Sequence, residues 1–138
     1  MFEHCLYFNT TSLSRQLERE WARAFKPFGL TPSQAFMLRV ILEKQIITST
    51  DLSRELNITK ATCSRMVEGL IELGFVKKVQ ADSDGRSYEL HPTQRARGIR
   101  DAVNLASAEV TKKIKRIIGS DHFETTVKQL REIASSIR

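Results

Sequence analysis

Between Lys60 and Arg86 the chain sets out two groups of hydrogen-bond donors, each in a form that could grip a polyanion. Lys60, Ala61, Thr62, Ser64 and Arg65 crowd the start of one helix-like stretch, and Asp84 and Arg86 flank Gly85 in a turn. Small residues allow close backbone approach, while Arg65 offers a planar fork that fits a guanine edge or a phosphate. Lys60 is a point charge suited to phosphate alone. Asp84 stands two residues before Arg86, near enough to orient its guanidinium. An arginine so held on a narrow hairpin suits the minor groove, where negative potential concentrates. The chemistry expected is recognition, not catalysis.

The elements that would position these residues run from Thr48 to Leu90. A short helix around Leu52–Leu56, a break at Asn57 and a polar helix opening on Thr59 have the spacing of a helix-turn-helix. At about 100° per residue, Cys63, Met66, Val67 and Leu70 share one face, which suits packing on Leu52, Leu56 and Ile58. Ala61, Thr62, Arg65 and Glu68 fall on the other, with Ser64 at its flank. Glu68 and Glu72 would repel DNA, so only the first two turns are expected to enter a groove. A strand-like Phe75–Val79, the turn Asp82–Arg86 and Ser87–Leu90 then form a hairpin. Taken singly, the helix reads as an ordinary amphipathic surface helix and the hairpin as a solvated loop. Their succession favours a winged reader.

The remainder is helical. Leu6, Leu13, Leu17, Ala24 and Phe28 give the first helix an apolar stripe, with Trp21 beside it. Thr31-Pro32-Ser33-Gln34 is a helix start, with Thr31 as N-cap, Pro32 in the first turn and Gln34 reaching back. Phe36, Met37, Val40 and Ile41 are expected in the core. Pro92 is expected to open a helix whose stripe runs through Ile99, Val103, Ala106, Val110, Ile114 and Ile117 until Gly119 stops it. Phe123, Val127, Leu130, Ala134 and Ile137 repeat the stripe. A helix that long cannot bury its stripe in so small a globule, so its end should meet a second copy or fold back within one subunit.

The order of these features resembles the MarR family of bacterial transcription regulators. The residues that carry the likeness are Leu52–Leu56, Thr62-Cys63-Ser64-Arg65-Met66-Val67, Leu70, Gly74-Phe75-Val76, Asp84-Gly85-Arg86 and, upstream, Phe28-Gly29-Leu30-Thr31-Pro32-Ser33-Gln34. The resemblance implies a mainly α (α+β) fold, a winged helix-turn-helix with long terminal dimerisation helices. It implies one domain over residues 1–138, with 1–30 and 92–138 pairing two copies and 31–91 reading double-stranded DNA at a pseudo-palindromic operator. The implied DNA-binding residues are Lys60, Ala61, Thr62, Ser64, Arg65, Asp84 and Arg86. The implied role is a homodimeric repressor released by a small-molecule effector, in keeping with a stress response. Two other readings stay open: a thiol-based redox regulator using Cys5, and a winged-helix protein-binding adaptor.

Composition agrees. The net charge of +6 suits a nucleic-acid partner, but the excess is spread evenly along the chain, so binding must rely on placement. No phosphate loop, zinc-protease helix or nucleophile elbow is present. His4, His91 and His122 are scattered, so no enzyme, metal or cofactor is expected. No apolar run spans a membrane and no signal-peptide pattern leads the chain, which points to the cytoplasm. The two cysteines fit a reducing compartment. Cys63 is expected to pack as a small hydrophobe. For a small anionic or aromatic effector, Trp21, Arg15, Arg19 and Arg23 are the candidates, against the plainer reading that these arginines are a solvated helix face.

Overall fold

The computed structural model describes residues 1–80 and 88–138. Its first helix, α1 (Leu6–Phe25), starts where Cys5 Sγ accepts the Phe8 amide, and a single 3₁₀ turn (Lys26–Phe28) follows. The next helix, α2 (Pro32–Lys44), opens on a complete capping box: Thr31 Oγ1 accepts from the Gln34 amide, and Gln34 Oε1 accepts from the Thr31 amide. Two donors that a helix start leaves orphaned are thereby satisfied. After strand β1 (Ile47–Thr48) come α3 (Ser49–Leu56), capped by Thr48, and α4 (Lys60–Glu72), capped by Thr59. Strands β2 (Val76–Gln80) and β3 (Tyr88–Pro92) lead to the long α5 (Gln94–Ile118), and Gly119 joins it to α6 (Ser120–Ser136).

The strands form an antiparallel sheet in the order β1-β3-β2, with Ile47 opposite Leu90 and Val76 opposite Pro92. One apolar cluster underlies everything. Phe25 of α1, Met37, Leu38, Ile41 and Leu42 of α2, Leu52 of α3, Val67 and Leu70 of α4, Leu90 of β3 and Val103 of α5 are all buried in it. The short helices α3 and α4 therefore have a fixed footing. Their turn is set by Asn57, held in the left-handed region at φ 56° and ψ 46°.

Two expectations need correction, and a third feature is as the sequence implied. Pro92 does not open α5 but closes β3, and Thr93 is the cap, its hydroxyl accepting from the Ala96 amide and donating to the Gly74 carbonyl. Ladder geometry accounts for this. Thr93 N donates to Phe75 O at 3.0 Å, so Pro92 takes the alternate, non-bonded position opposite Val76, where a missing N–H breaks no bond to β2. Phe36 is not a core residue: it is 41% exposed, and Ala35, Leu38 and Leu42 carry the burial in its place. The stripes of the terminal helices are only partly covered within one chain. Val103 and Val110 are buried, but Ile117 is 71% exposed and no residue of α6 is buried.

The left-handed residue of the turn gives a direct test. A β-carbon without a polar end is unfavourable there by about 1–2 kcal/mol, whereas glycine is not penalised. Urea unfolding should find Asn57→Ala weakened by about 1 kcal/mol and Asn57→Gly close to the parent. Equal stabilities for the two variants would show that the turn does not depend on this conformation.

Candidate nucleic-acid interface

Helix α4 is two-sided. Cys63, Val67 and Leu70 are buried in the core, and Met66 is half-buried against it. Lys60, Ala61, Ser64 and Arg65 are exposed along the first two turns. Thr62 departs from its expected place: it is half-buried and lies at the end of a hydroxyl chain. Thr59 Oγ1 accepts the Thr62 amide at 3.1 Å and lies 3.0 Å from Thr62 Oγ1, which in turn accepts from Arg65 Nη2 at 3.2 Å. The capping residue thus reaches through Thr62 to steady the arginine that faces solvent. The start of α4 also presents unpaired backbone N–H groups and the positive end of its dipole, which favours phosphate.

Glu68, on the same outer face, is not a free negative charge. Lys78 of β2 pairs with it at 2.5 Å, and the Lys78 ammonium also lies 5.3 Å from the Tyr88 ring centroid. This ties the hairpin to α4 and offsets the carboxylate that would oppose DNA. Lys78 was not legible as a site residue, because its partner is ten positions away in another kind of element; the consecutive cations Lys77-Lys78 were the only signal. Asp84 and Arg86 lie outside the described residues.

Behind α4 is a cavity of about 760 Å³. Its walls come from both parts of the molecule: Leu13, Leu17 and Trp21 of α1, Pro32 and Phe36 of α2, Leu56 and Ile58 around the turn, Thr62 and Met66 of α4, and Leu130 of α6. The size and largely apolar walls are those of small-molecule sites. Trp21 lines it as expected. Arg15, Arg19 and Arg23 do not: all three are exposed, and Arg23 is held by Glu20 at 2.9 Å. Glu20 also accepts from Lys113 of α5 at 3.2 Å, and that hydrogen bond foremost holds its carboxyl below the usual range.

A polar knot adjoins the cavity. Trp21 Nε1 donates to Ser107 Oγ at 3.0 Å, and Arg39 Nη1 donates to the same oxygen at 3.1 Å. Arg39 Nε donates to Asn104 Oδ1 at 2.8 Å, and the guanidinium lies 5.0 Å from the Phe36 ring centroid. Burial lowers the Arg39 pKa. Three helices meet here.

Cys63 Sγ donates to the Ser49 carbonyl at 3.7 Å and the residue is 1% exposed, so burial pushes its thiol pKa up. Cys5 is exposed. Among the described residues no group of His, Cys, Asp and Glu could hold a metal, and no helix is long and apolar enough to cross a membrane. At neutral pH one thiol should react promptly with a disulfide reagent, and the second only on unfolding. Because the folded pKa of Cys63 is the higher one, its contribution to stability is complete below about pH 8.5 and declines as pH rises further. Prompt reaction of both thiols with the native protein would contradict the packing of α4.

Residues 28–87 match the sequence pattern described as the MarR family. The HTH-type transcriptional regulator BilQ of Clostridioides difficile (strain CD3) is 23% identical over 119 residues, 86% of this chain and 80% of that protein. The solved MarR protein from Peptoclostridium difficile DA00132 has a TM-score of 0.86 at 22% identity, covering 98% of this chain and 88% of its own. The S. aureus MepR–DNA complex gives 0.87 at 16% identity, covering 99% and 100%. At these identities the structural likeness establishes the fold.

Proposed function

Because residues 28–87 match the MarR family pattern and a transcriptional regulator aligns over most of the chain, we propose that the protein is a MarR-family homodimeric repressor that reads double-stranded DNA in the cytoplasm and is released by a small-molecule effector. The observation that carries this is α4. Lys60, Ala61, Ser64 and Arg65 stand exposed at its start while Cys63, Val67 and Leu70 anchor its back in the core. A helix so held can enter a major groove without rearranging. MepR, solved with DNA, shares this fold. Family members regulate transcription rather than catalyse, and the geometry of α4 suits that work.

In this reading residues 31–91 read the operator, and 1–30 with 92–138 pair two copies. Lys60 neutralises a phosphate, Ala61 admits the backbone closely, Thr62 steadies Arg65, Ser64 adds a short donor and Arg65 grips a base. Asp84 and Arg86 are assigned to the minor groove from the sequence alone. The exposed apolar side chains of the arms, among them Leu6, Tyr7, Ile117, Leu130 and Ile137, support pairing. Two readers then face successive major grooves, about 34 Å apart, on a pseudo-palindrome. The cavity touches α1, α4 and α6 together, so an occupant there acts on reader and arms at once.

Arg65→Ala should weaken binding to the selected operator by about 1–3 kcal/mol and binding to random DNA far less. Lys60→Ala should weaken both alike and flatten the dependence of log K on log salt by about one per subunit. Titrations on both DNAs at several salt concentrations separate the two. If Arg65→Ala weakens both equally, it is a phosphate contact and the specificity lies elsewhere.

Sedimentation should find a dimer at micromolar concentration, with an interface on the order of 2,000 Å² or more. Truncation after residue 120 should abolish it. A stable folded monomer would refute the pairing.

A further inference from the structure

The cavity behind α4 has an unusual charge inventory for a chain of net charge +6. Glu18 is its one ionisable lining residue, and no lysine, arginine or histidine among the described residues lines it. Glu18 is exposed where it lines this space and makes no ion pair with any described residue. Two arginines adjoin lining residues from outside: Arg39 lies over the Phe36 ring and is engaged by Asn104 and Ser107, and Arg65, exposed on the outer face of α4, donates to Thr62. The cations of α1 are turned to solvent or, like Arg23, spent on Glu20. A carboxylate or phenolate entering this space would surrender its hydration and meet a like charge. A cation would meet Glu18 together with the aromatic rings of Trp21 and Phe36, whose faces attract positive charge.

We infer that the cavity takes a small organic cation with an aromatic or branched apolar body, and that of the small anionic or aromatic effectors the sequence suggested it disfavours the anions. This rests on the proposed effector role of the cavity, and it names the ligand class. The apolar body would lie against Leu13, Leu17 and Met66, and the positive centre would lie toward Glu18. Both the volume and the single charge fit this occupant.

Trp21 is the one tryptophan in the chain, so its fluorescence reports on the cavity wall directly. Tetraphenylphosphonium and tetraphenylborate are nearly the same shape and opposite in charge, and the full-length protein can be titrated with each. The protein's overall positive field favours the borate, so a preference for the phosphonium reads the cavity and not the surface. We expect saturable quenching by the phosphonium, with a Kd about tenfold or more below that for the borate. Glu18→Gln should raise the phosphonium Kd by about three- to fivefold and leave the affinity for DNA unchanged. Equal or tighter binding of the borate overturns the inference, as does a phosphonium Kd indifferent to Glu18→Gln. Quenching by neither ion overturns it too. If the phosphonium binds as expected but DNA affinity does not respond, the ligand class stands and the effector role fails.

Discussion

Ser107 offers one hydroxyl oxygen to two donors from different helices, the Trp21 indole of α1 and the Arg39 guanidinium of α2. The junction adds direction to the attachment of the arms to the reader, which the shared apolar cluster also holds. A buried polar group left without a partner loses about 1–3 kcal/mol, and a charged one more. Displacing α1, α2 or α5 relative to the others therefore strands at least one donor. Arg39 raises the stakes, because its described partners are neutral and its charge is partly withdrawn from water. Such a junction favours one arrangement and resists intermediate ones. That is the property needed if an event in the neighbouring cavity is to be felt by α4.

The two parts of the molecule are finished to different degrees. The reader's apolar side chains are covered, with α2, α3, α4 and the sheet all contributing buried residues to a cluster that Phe25 of α1 and Val103 of α5 complete. Its outer strand β2 carries Lys77 and Lys78 and ends in Gln80, charge and polarity that discourage a second sheet from pairing there. The arms show no such protection. Leu6, Tyr7, Ile117 and Ile137 keep most of their surface in water, at helix spacings that would suit another helix. Apolar area left uncovered in this pattern is what the proposed pairing of two copies would cover.

Features determined by neighbours in sequence were legible in advance, and features determined across the chain were not. Thr31, Pro32 and Gln34 specify a capping box within four residues, Asn57 the break and Gly119 the stop, and each stands where the spacing placed it. The two-faced character of α4 followed from its period. Strand β1 was missed, because two residues show no alternation and only their pairing with Glu89 and Leu90 makes them a strand. Pro92 misled because a proline favours a helix start and a non-bonded ladder position equally well. The Trp21–Ser107–Arg39 junction and the Glu68–Lys78 pair join residues with no local signature. The arginines of α1 suggested an anion site only while their direction was unknown.

The junction at Ser107 also bears on how the chain acquires its shape in time. The Trp21–Ser107 bond closes a span of 86 residues, against ten for Lys78–Glu68. By loop-closure entropy the longer span is harder to close by about 2 kcal/mol, before any helix formed in between shortens it. Contacts of short separation form early and those of long separation late. The reader is therefore poised to assemble first, with the end of α1 that carries Phe25, and the rest of α1 is fixed only when α5 has formed. During synthesis Trp21 emerges well before Ser107, so the part of α1 that faces α5 stays uncovered until α5 has followed. The nascent chain is most open to misassociation during that interval.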